Sequence, residues 1–206
     1  MGFYGEQVLP RVIDLSLRGE ELGRLRARVA AGLAGEVLEI GFGSGLNVPH
    51  YPRELSRVRA VDPAATGRKL AERRVAACPV PVDYIGLDAQ ALPLEDASVD
   101  HVLSTWTLCT IPDAGQALAE VRRVLRPGGA LHFLEHGRAP DRRVARLQDL
   151  LTPVQRRVFG GCHINRPIGR LVTGAGFDVT HMQTYYLPGP HALGYMFEGV
   201  AIKPAG

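Results

Sequence analysis

The chain has 206 residues, 46% of them apolar and 22% charged, enough for one domain around one substantial core and ordinary for a soluble globular protein. The formal net charge of +3 is small and almost all of the positive charge is arginine, Lys69 and Lys203 being the two lysines. The arginines are scattered among acids rather than gathered into a basic stripe, which argues against nucleic acid as a partner and leaves room for mild attraction to an anionic substrate or lipid surface.

From about Val8 to Leu33 apolar residues recur at three- and four-residue steps, with Gly19 expected to split the segment into two helices. A short strand follows at Glu36–Ile40, ending in a glycine loop. Next come a strand at Arg57–Val61, a helix near Ala65–Ala77, and strands near Val82–Ile85 and Val99–Ser104. A helix is expected over Gln116–Leu125, stopped by the turn Arg126-Pro127-Gly128-Gly129, before a buried strand at Ala130–Glu135. Helices are expected from Arg142 to about Phe159 and over Pro167–Ala175. Two strands, Phe177–Tyr186 and Gly194–Ile202, follow and are joined by a Pro/Gly loop. Alternating strands and helices imply a doubly wound, mostly parallel α/β sheet. The last two strands have no long helix between them, so they are expected to form an antiparallel hairpin.

The N-terminus, Met1–Glu6, has no charged stretch followed by an apolar run, so no signal peptide is expected; Glu6 spoils a myristoylation pattern. No apolar run approaches the roughly 20 residues needed to cross a bilayer, so no stable membrane anchor is expected. Cys78, Cys109 and Cys162 are odd in number and widely spaced, which suggests reduced thiols in a cytoplasm. No CxxC pair occurs, so no metal is expected.

Four elements carry chemistry. The first is Val37–Asn47, a buried strand running into Gly41-Phe42-Gly43-Ser44-Gly45. Ligands of open α/β sheets bind beyond the carboxyl ends of the strands, and glycines let the backbone approach them closely. The third glycine comes one residue too early for the GxGxxG of a dinucleotide fold, and the Gly-Lys-Ser/Thr of a phosphate loop is absent. The second element is Asp62, ending the next strand before Pro63. It can accept both hydroxyls of a ribose, cap the following helix, or do both. The third is Asp88-Ala89-Gln90, where the carboxylate can take an adenine amine and the Ala89 N–H a ring nitrogen. The fourth is the segment Leu125–His136, whose Arg-Pro-Gly-Gly turn reads as structural.

In this order and spacing the four elements resemble the motifs of class I S-adenosylmethionine-dependent methyltransferases, whose Rossmann-like sheet has seven strands. The resemblance covers roughly Gly35–His136. Over nearly the whole chain, Thr105–Asp113, Phe133–His136, Phe159–Arg166 and Tyr195–Lys203 are also similar to the methyltransferase-like 7 group of thiol S-methyltransferases. Bacterial relatives of that group are often described as phospholipid or quinone methyltransferases. The sequence departs from the pattern at Gln90, where an acid is usual, and at Phe42, bulkier than usual inside the loop, and no counterpart of the animal members' membrane anchor is expected.

The resemblance implies S-adenosyl-L-methionine as cofactor and S-adenosyl-L-homocysteine as product. It implies that Gly41, Gly43, Gly45 and Asn47 shape the site and that Glu39 supports the loop or the cofactor's amino group. Asp62 and Pro63 belong with the ribose, Asp88, Ala89 and Gln90 with the adenine, and Thr105 and Leu108 with the methionyl end. Tyr4 and the N-terminal helices are candidates for a lid. His136 and His163 are the candidate catalytic residues, to accept a thiol's proton or steady its charge; a structural hydrogen bond is the competing reading of each. Cys109 reads as core and Cys162 as packing. Trp106 faces either a sulfonium or the sheet edge, and Tyr185 and Tyr186 are candidate pocket walls.

One domain is expected, with a helical cap over 1–34, a cofactor-binding core over 35–136 and substrate-side helices with the hairpin over 137–206. The expected acceptor is a small molecule, a thiol in the first reading and a phospholipid amine or quinone in the second. A non-catalytic cofactor-binding regulator is the reading from another class. Transient lipid contact and either a monomer or a homodimer are compatible with the sequence.

Overall fold

In a computed structural model, residues 4–205 are described; Met1–Phe3, part of the N-terminal stretch read above, and Gly206 lie outside them. Among the described residues a seven-stranded sheet has the order β3-β2-β1-β4-β5-β7-β6. The strands are β1 (Gly35–Ile40), β2 (Leu55–Val61), β3 (Val82–Gly86), β4 (Val99–Thr105), β5 (Leu125–His136), β6 (Asp178–Tyr186) and β7 (Tyr195–Ile202). The first five pair in parallel, whereas β7 runs antiparallel to both β5 and β6. This is the expected fold, terminal hairpin included.

Period-two burial sorts the strands between two layers. Val37, Leu103, Leu134 and Met196 pack on α2 (Glu20–Ala30) through Leu25, Val29 and Ala30. Leu38, Val102, Leu131 and Phe133 pack on the opposite side, against α4 (Ala114–Val124) and α6 (Ile168–Gly174). Strand order reverses between β1 and β4, so the ends of these strands open a crevice at the switch point.

Several boundaries differ from the expected ones. Helix α4 starts two residues before Gln116, because Asp113 caps it by accepting the Gln116 N–H at 2.9 Å. It ends at Val124, and the Arg126–Gly129 turn is a correction: these residues belong to β5. Leu125 pairs with Val99 across an irregularity, while the Gly128 N–H donates to the Lys203 carbonyl at 2.9 Å. The stop signal marks a bulged strand entry that a neighbouring strand captures. The Pro/Gly loop before β7 contains a short helical turn, α7 (His191–Gly194), which takes up Gly194. At the N-terminus a π-helical turn, Tyr4–Val8, precedes α1 (Leu9–Ser16), and Gly19, at φ 132°, separates α1 from α2 as expected. The remaining helices are α3 (Ala65–Ala76) and α5 (Arg142–Val158).

Candidate active site

After β1 the chain turns at once, at Gly41, with φ 67°. The Gly41 and Phe42 N–H groups both donate to the Val61 carbonyl, at 2.9 and 3.2 Å, so the loop stays fastened to β2. A Cβ at Gly41 would overlap the Thr107 side chain, so glycine is demanded by space as well as by φ. Asp62 organises the rest. Its Oδ2 accepts the Gly43 N–H at 2.8 Å and its Oδ1 the Ala64 N–H at 2.7 Å. Asp62 is not the cap expected for α3: the N-cap is Ala64, and Asp62 accepts that residue's own N–H from two positions earlier while its carboxylate lines the crevice. Burial pushes its carboxyl up, opposed by those two N–H donors.

A cavity of about 580 Å³ occupies the crevice. Of the residues expected at the cofactor, Gly41, Gly43, Asn47, Asp62, Pro63, Asp88, Ala89, Gln90 and Thr105 line it. The other four lie behind or beside its wall. Gly45 backs onto Ala71 of α3, and Leu108 is fully buried in the core. Glu39 sits beneath the loop, and Tyr4 is half exposed with its hydroxyl donating to the Val158 carbonyl at 2.9 Å. The N-terminal segment still walls the cavity, through Gly5, Leu9, Pro10, Ile13 and Leu17. Asp14, buried on α1, accepts the Ser44 hydroxyl at 2.7 Å and pairs with Arg74 at 3.2 Å, which ties this helix to the glycine loop.

Sequence reasoning missed Arg26. Its residue is 4% exposed, yet it lines the cavity. Nη1 donates to Asn47 Oδ1 at 2.7 Å and to Thr105 Oγ1 at 3.0 Å, and the guanidinium lies 4.6 Å from the Trp106 ring centroid. Nε has no hydrogen-bond partner. Burial lowers the guanidinium's pKa to about 10, although Glu39 opposes the shift. The signal was present: Arg26 sits within the stripe of Leu22, Leu25 and Val29, a charge on the apolar face of its helix. Below it, Glu39 accepts from Asn47 Nδ2 at 3.0 Å and from the Tyr51 hydroxyl at 2.5 Å, and burial raises its pKa to about 7. A second buried acid, Glu135, accepts the Thr107 N–H at 2.9 Å and the Ser104 hydroxyl at 2.7 Å, fixing the turn after β4. In that turn Trp106 holds φ 49°, a conformation a bulky residue adopts under strain, with its N–H donating to the Leu134 carbonyl at 2.9 Å.

A second cavity, of about 530 Å³, adjoins the first; Ile13, Leu17, Trp106, Thr110 and Phe159 line both. His136, Cys109 and Cys162 stand in its wall. His136 Nε2 lies 3.0 Å from Cys162 Sγ. The Cys162 thiol is pulled down by a hydrogen bond from Cys109 and by the His136 ring, against burial. The His136 ring is held above its ordinary value: burial opposes its charge, and Cys162 and Glu135 favour it. His163 lines neither cavity. Its Nδ1 lies 3.3 Å from the Cys109 carbonyl and 3.2 Å from Arg166 Nη2, and its backbone N–H donates to that same carbonyl at 2.8 Å. Tyr185 also stands away from both cavities, its hydroxyl donating to Glu198 at 2.6 Å, and Tyr186 stacks on His191. No helix among the described residues is long and apolar enough to cross a membrane.

Comparisons with known proteins place this geometry in a family. A methyltransferase-domain family model matches residues 38–133, a span from β1 into β5 that supplies most of the first cavity's lining. Thiol S-methyltransferase TMT1B of Rattus norvegicus is 32% identical, over 77% of this chain and 68% of its own. Thiol S-methyltransferase TMT1A of Homo sapiens is 32% identical, over 80% and 72%. A solved S-adenosylmethionine-dependent methyltransferase from Aquifex aeolicus superposes with a TM-score of 0.65 at 18% identity, over 94% of this chain and 97% of its own. The unpartnered Nε of Arg26 and the positive-φ glycine loop beside Asp62 suit a zwitterionic nucleoside ligand. The chain belongs to the class I S-adenosylmethionine-dependent methyltransferases and is a relative of the thiol S-methyltransferases TMT1A and TMT1B.

Proposed function

We propose that the chain methylates a small thiol and that the two adjoining cavities divide the work, cofactor in the first and acceptor in the second. The observation that carries this reading is the junction. Trp106, Thr110 and Phe159 separate the Asp62–Arg26 cavity from a mostly apolar one whose wall bears the His136–Cys162 pair. When bound, S-adenosylmethionine would supply a methyl group activated on its sulfonium and open to in-line attack by the acceptor sulfur, with S-adenosylhomocysteine as the leaving group. The chain's own residues position and protect. Asp62 accepts the ribose hydroxyls, and Asp88 with the Ala89 N–H reads the adenine. Arg26, with its free Nε, pairs with the methionyl carboxylate, while Asn47 and Glu39 brace it. Thr105 and the strained Trp106 shape the methionyl end. Ile13 and Leu17 of the N-terminal segment cover the junction and exclude water, which favours a charged nucleophile meeting a cation. His136 Nε2 accepts the acceptor's proton, because a thiol attacks as the thiolate. His163, turned towards the Cys109 carbonyl and Arg166, supports the loop instead.

A second reading, a lipid-borne amine or quinone as acceptor, is favoured by one feature of α5. Its buried positions include Ala145, Gln148 and Thr152, while Leu147, Leu150, Val154 and Val158 point outward, Leu150 73% exposed. Exposed Arg142, Arg143, Arg146, Arg156 and Arg157 flank that apolar stripe, a composition suited to an anionic lipid surface. Release of S-adenosylhomocysteine, measured with alkyl and aryl thiols and with phosphatidylethanolamine or a quinol in vesicles, separates the two. Turnover on thiols, abolished by Asp62→Ala, is the expected result. Turnover confined to the vesicle substrates would replace the thiol reading with the second.

A further inference from the structure

The geometry points to a soft divalent metal site, of the zinc type, at Cys109, His136 and Cys162. The three come from different parts of the chain: the turn after β4, the last residue of β5 and the loop after α5. Their donor atoms, two sulfurs and one imidazole nitrogen, all lie within 4.8 Å of one another. Tetrahedral zinc, with Zn–S near 2.3 Å and Zn–N near 2.0–2.1 Å, needs donors about 3.5–3.8 Å apart. The 3.0 Å between His136 Nε2 and Cys162 Sγ therefore has to open by only about half an ångström. Both sulfurs are buried, Cys109 at 1% and Cys162 at 4% exposed, which removes competition from bulk water.

The donor set selects the ion. Two thiolates and a neutral imidazole suit zinc or another soft cation and disfavour magnesium and calcium, which prefer oxygen. One divalent ion also balances the two thiolate charges in this buried place. The backbone holds the two cysteine loops together, since the His163 N–H donates to the Cys109 carbonyl at 2.8 Å and the Cys162 N–H to the Phe159 carbonyl at 3.1 Å. Three ligands leave a fourth position. All three residues line the second cavity, so that position faces the space assigned to the acceptor. Zinc sites that keep a position open are the catalytic kind. Resting on the thiol reading above, the ion takes over the role given there to His136, whose Nε2 is now a ligand: the fourth ligand is the acceptor's sulfur, bound as thiolate with its proton passed to solvent. It is held in the wall of the acceptor cavity, next to the junction.

Cobalt(II) titration of the full-length protein, reduced with a phosphine and stripped with a chelator, tests this. The expected result is one equivalent bound with tetrahedral d–d bands and sulfur-to-cobalt charge transfer, displaced by zinc. Cys109→Ser and Cys162→Ser should each weaken binding about 100-fold or more, since even loss of a residue that only orients a ligand costs 10–100-fold. Cys78→Ser, at a thiol that packs in different apolar clusters, should leave the bands unchanged. Circular dichroism and binding of S-adenosylhomocysteine verify that each variant is folded. Absence of the bands in folded wild-type protein overturns the metal site. A small alkyl thiol added to the cobalt form should shift the bands. Bands that stay fixed refute thiol ligation alone, and absence of thiol methylation by the metal-loaded wild-type protein, scored separately by S-adenosylhomocysteine release, refutes the reading beneath it.

Discussion

Replacing Arg26 with Met separates cofactor recognition from stability, because the two effects of the guanidinium oppose each other. In the free protein, burial lowers the Arg26 pKa from its ordinary value to about 10, which corresponds to an unfavourable contribution of about 3 kcal/mol for keeping the charge inside. Its hydrogen bonds to Asn47 and Thr105 return about 1 kcal/mol each. The net change on substitution is therefore near zero, as buried charges replaced by apolar groups of similar size often show. Cofactor binding behaves differently. A charge-assisted hydrogen bond from Nε to the methionyl carboxylate is worth about 1.5–3 kcal/mol, so its loss weakens affinity roughly 10- to 100-fold. Calorimetric titration with S-adenosylhomocysteine and with 5′-methylthioadenosine isolates the term, since the two share the adenosine and only the first carries the carboxylate. Arg26→Met should lose affinity for S-adenosylhomocysteine and keep that for 5′-methylthioadenosine, with an unchanged or higher melting temperature. Equal weakening of both ligands would show that Arg26 acts only by shaping the loop, and the assignment would fail.

Three further outcomes follow from the same geometry. Burial raises the Glu39 pKa to about 7, above its unfolded value, so its protonated form favours the folded state. That contribution, up to about 3 kcal/mol, is complete below the unfolded pKa and is lost as pH rises towards 7. Urea unfolding at pH 5 and pH 8 should therefore show a smaller loss of stability for Glu39→Gln than for wild type; parallel losses would contradict it. Gly41→Ala should cost about 2–4 kcal/mol in the same assay, from φ strain of about 1–2 kcal/mol plus overlap with Thr107. Gly128→Ala, at a similar φ with open space around it, should lose only the strain, and a matching loss at both sites would refute the steric part. Asp14→Ala removes the buried contacts of α1 with Ser44 and Arg74. Amide exchange over residues 9–16 should then quicken about 10-fold, or about 1.4 kcal/mol, while β4 and β5 keep their protection.

What was legible in the sequence followed from local physics. The strands of the sheet core show as short apolar runs, and the turn at Gly41 shows because positive φ and a crowded neighbour leave one residue type. Asp62 and Asp88 stand out because they follow strands on the edge where the glycine loop lies. The antiparallel end follows from too few residues for a crossover. The failures were tertiary captures of local signals. Arg126-Pro127-Gly128-Gly129 has the composition of a stop, yet Val99 and Lys203 supply strand partners that no local pattern announces.

The amino-acid sequence by itself therefore determined the class of fold, the glycine loop and the acids beside it, because each depends on periodicity or on residues a few positions apart. The tertiary structure alone decided three things. It turned Arg26 from a charge on a helix stripe into a buried head in the first cavity. It placed His136 in the second cavity and His163 outside both. It brought Cys109, His136 and Cys162 within 4.8 Å of one another, a cluster that no spacing rule finds. Side chains from distant segments meet only when sheet register and loop packing fix where each strand ends, and register is a property of the assembled sheet.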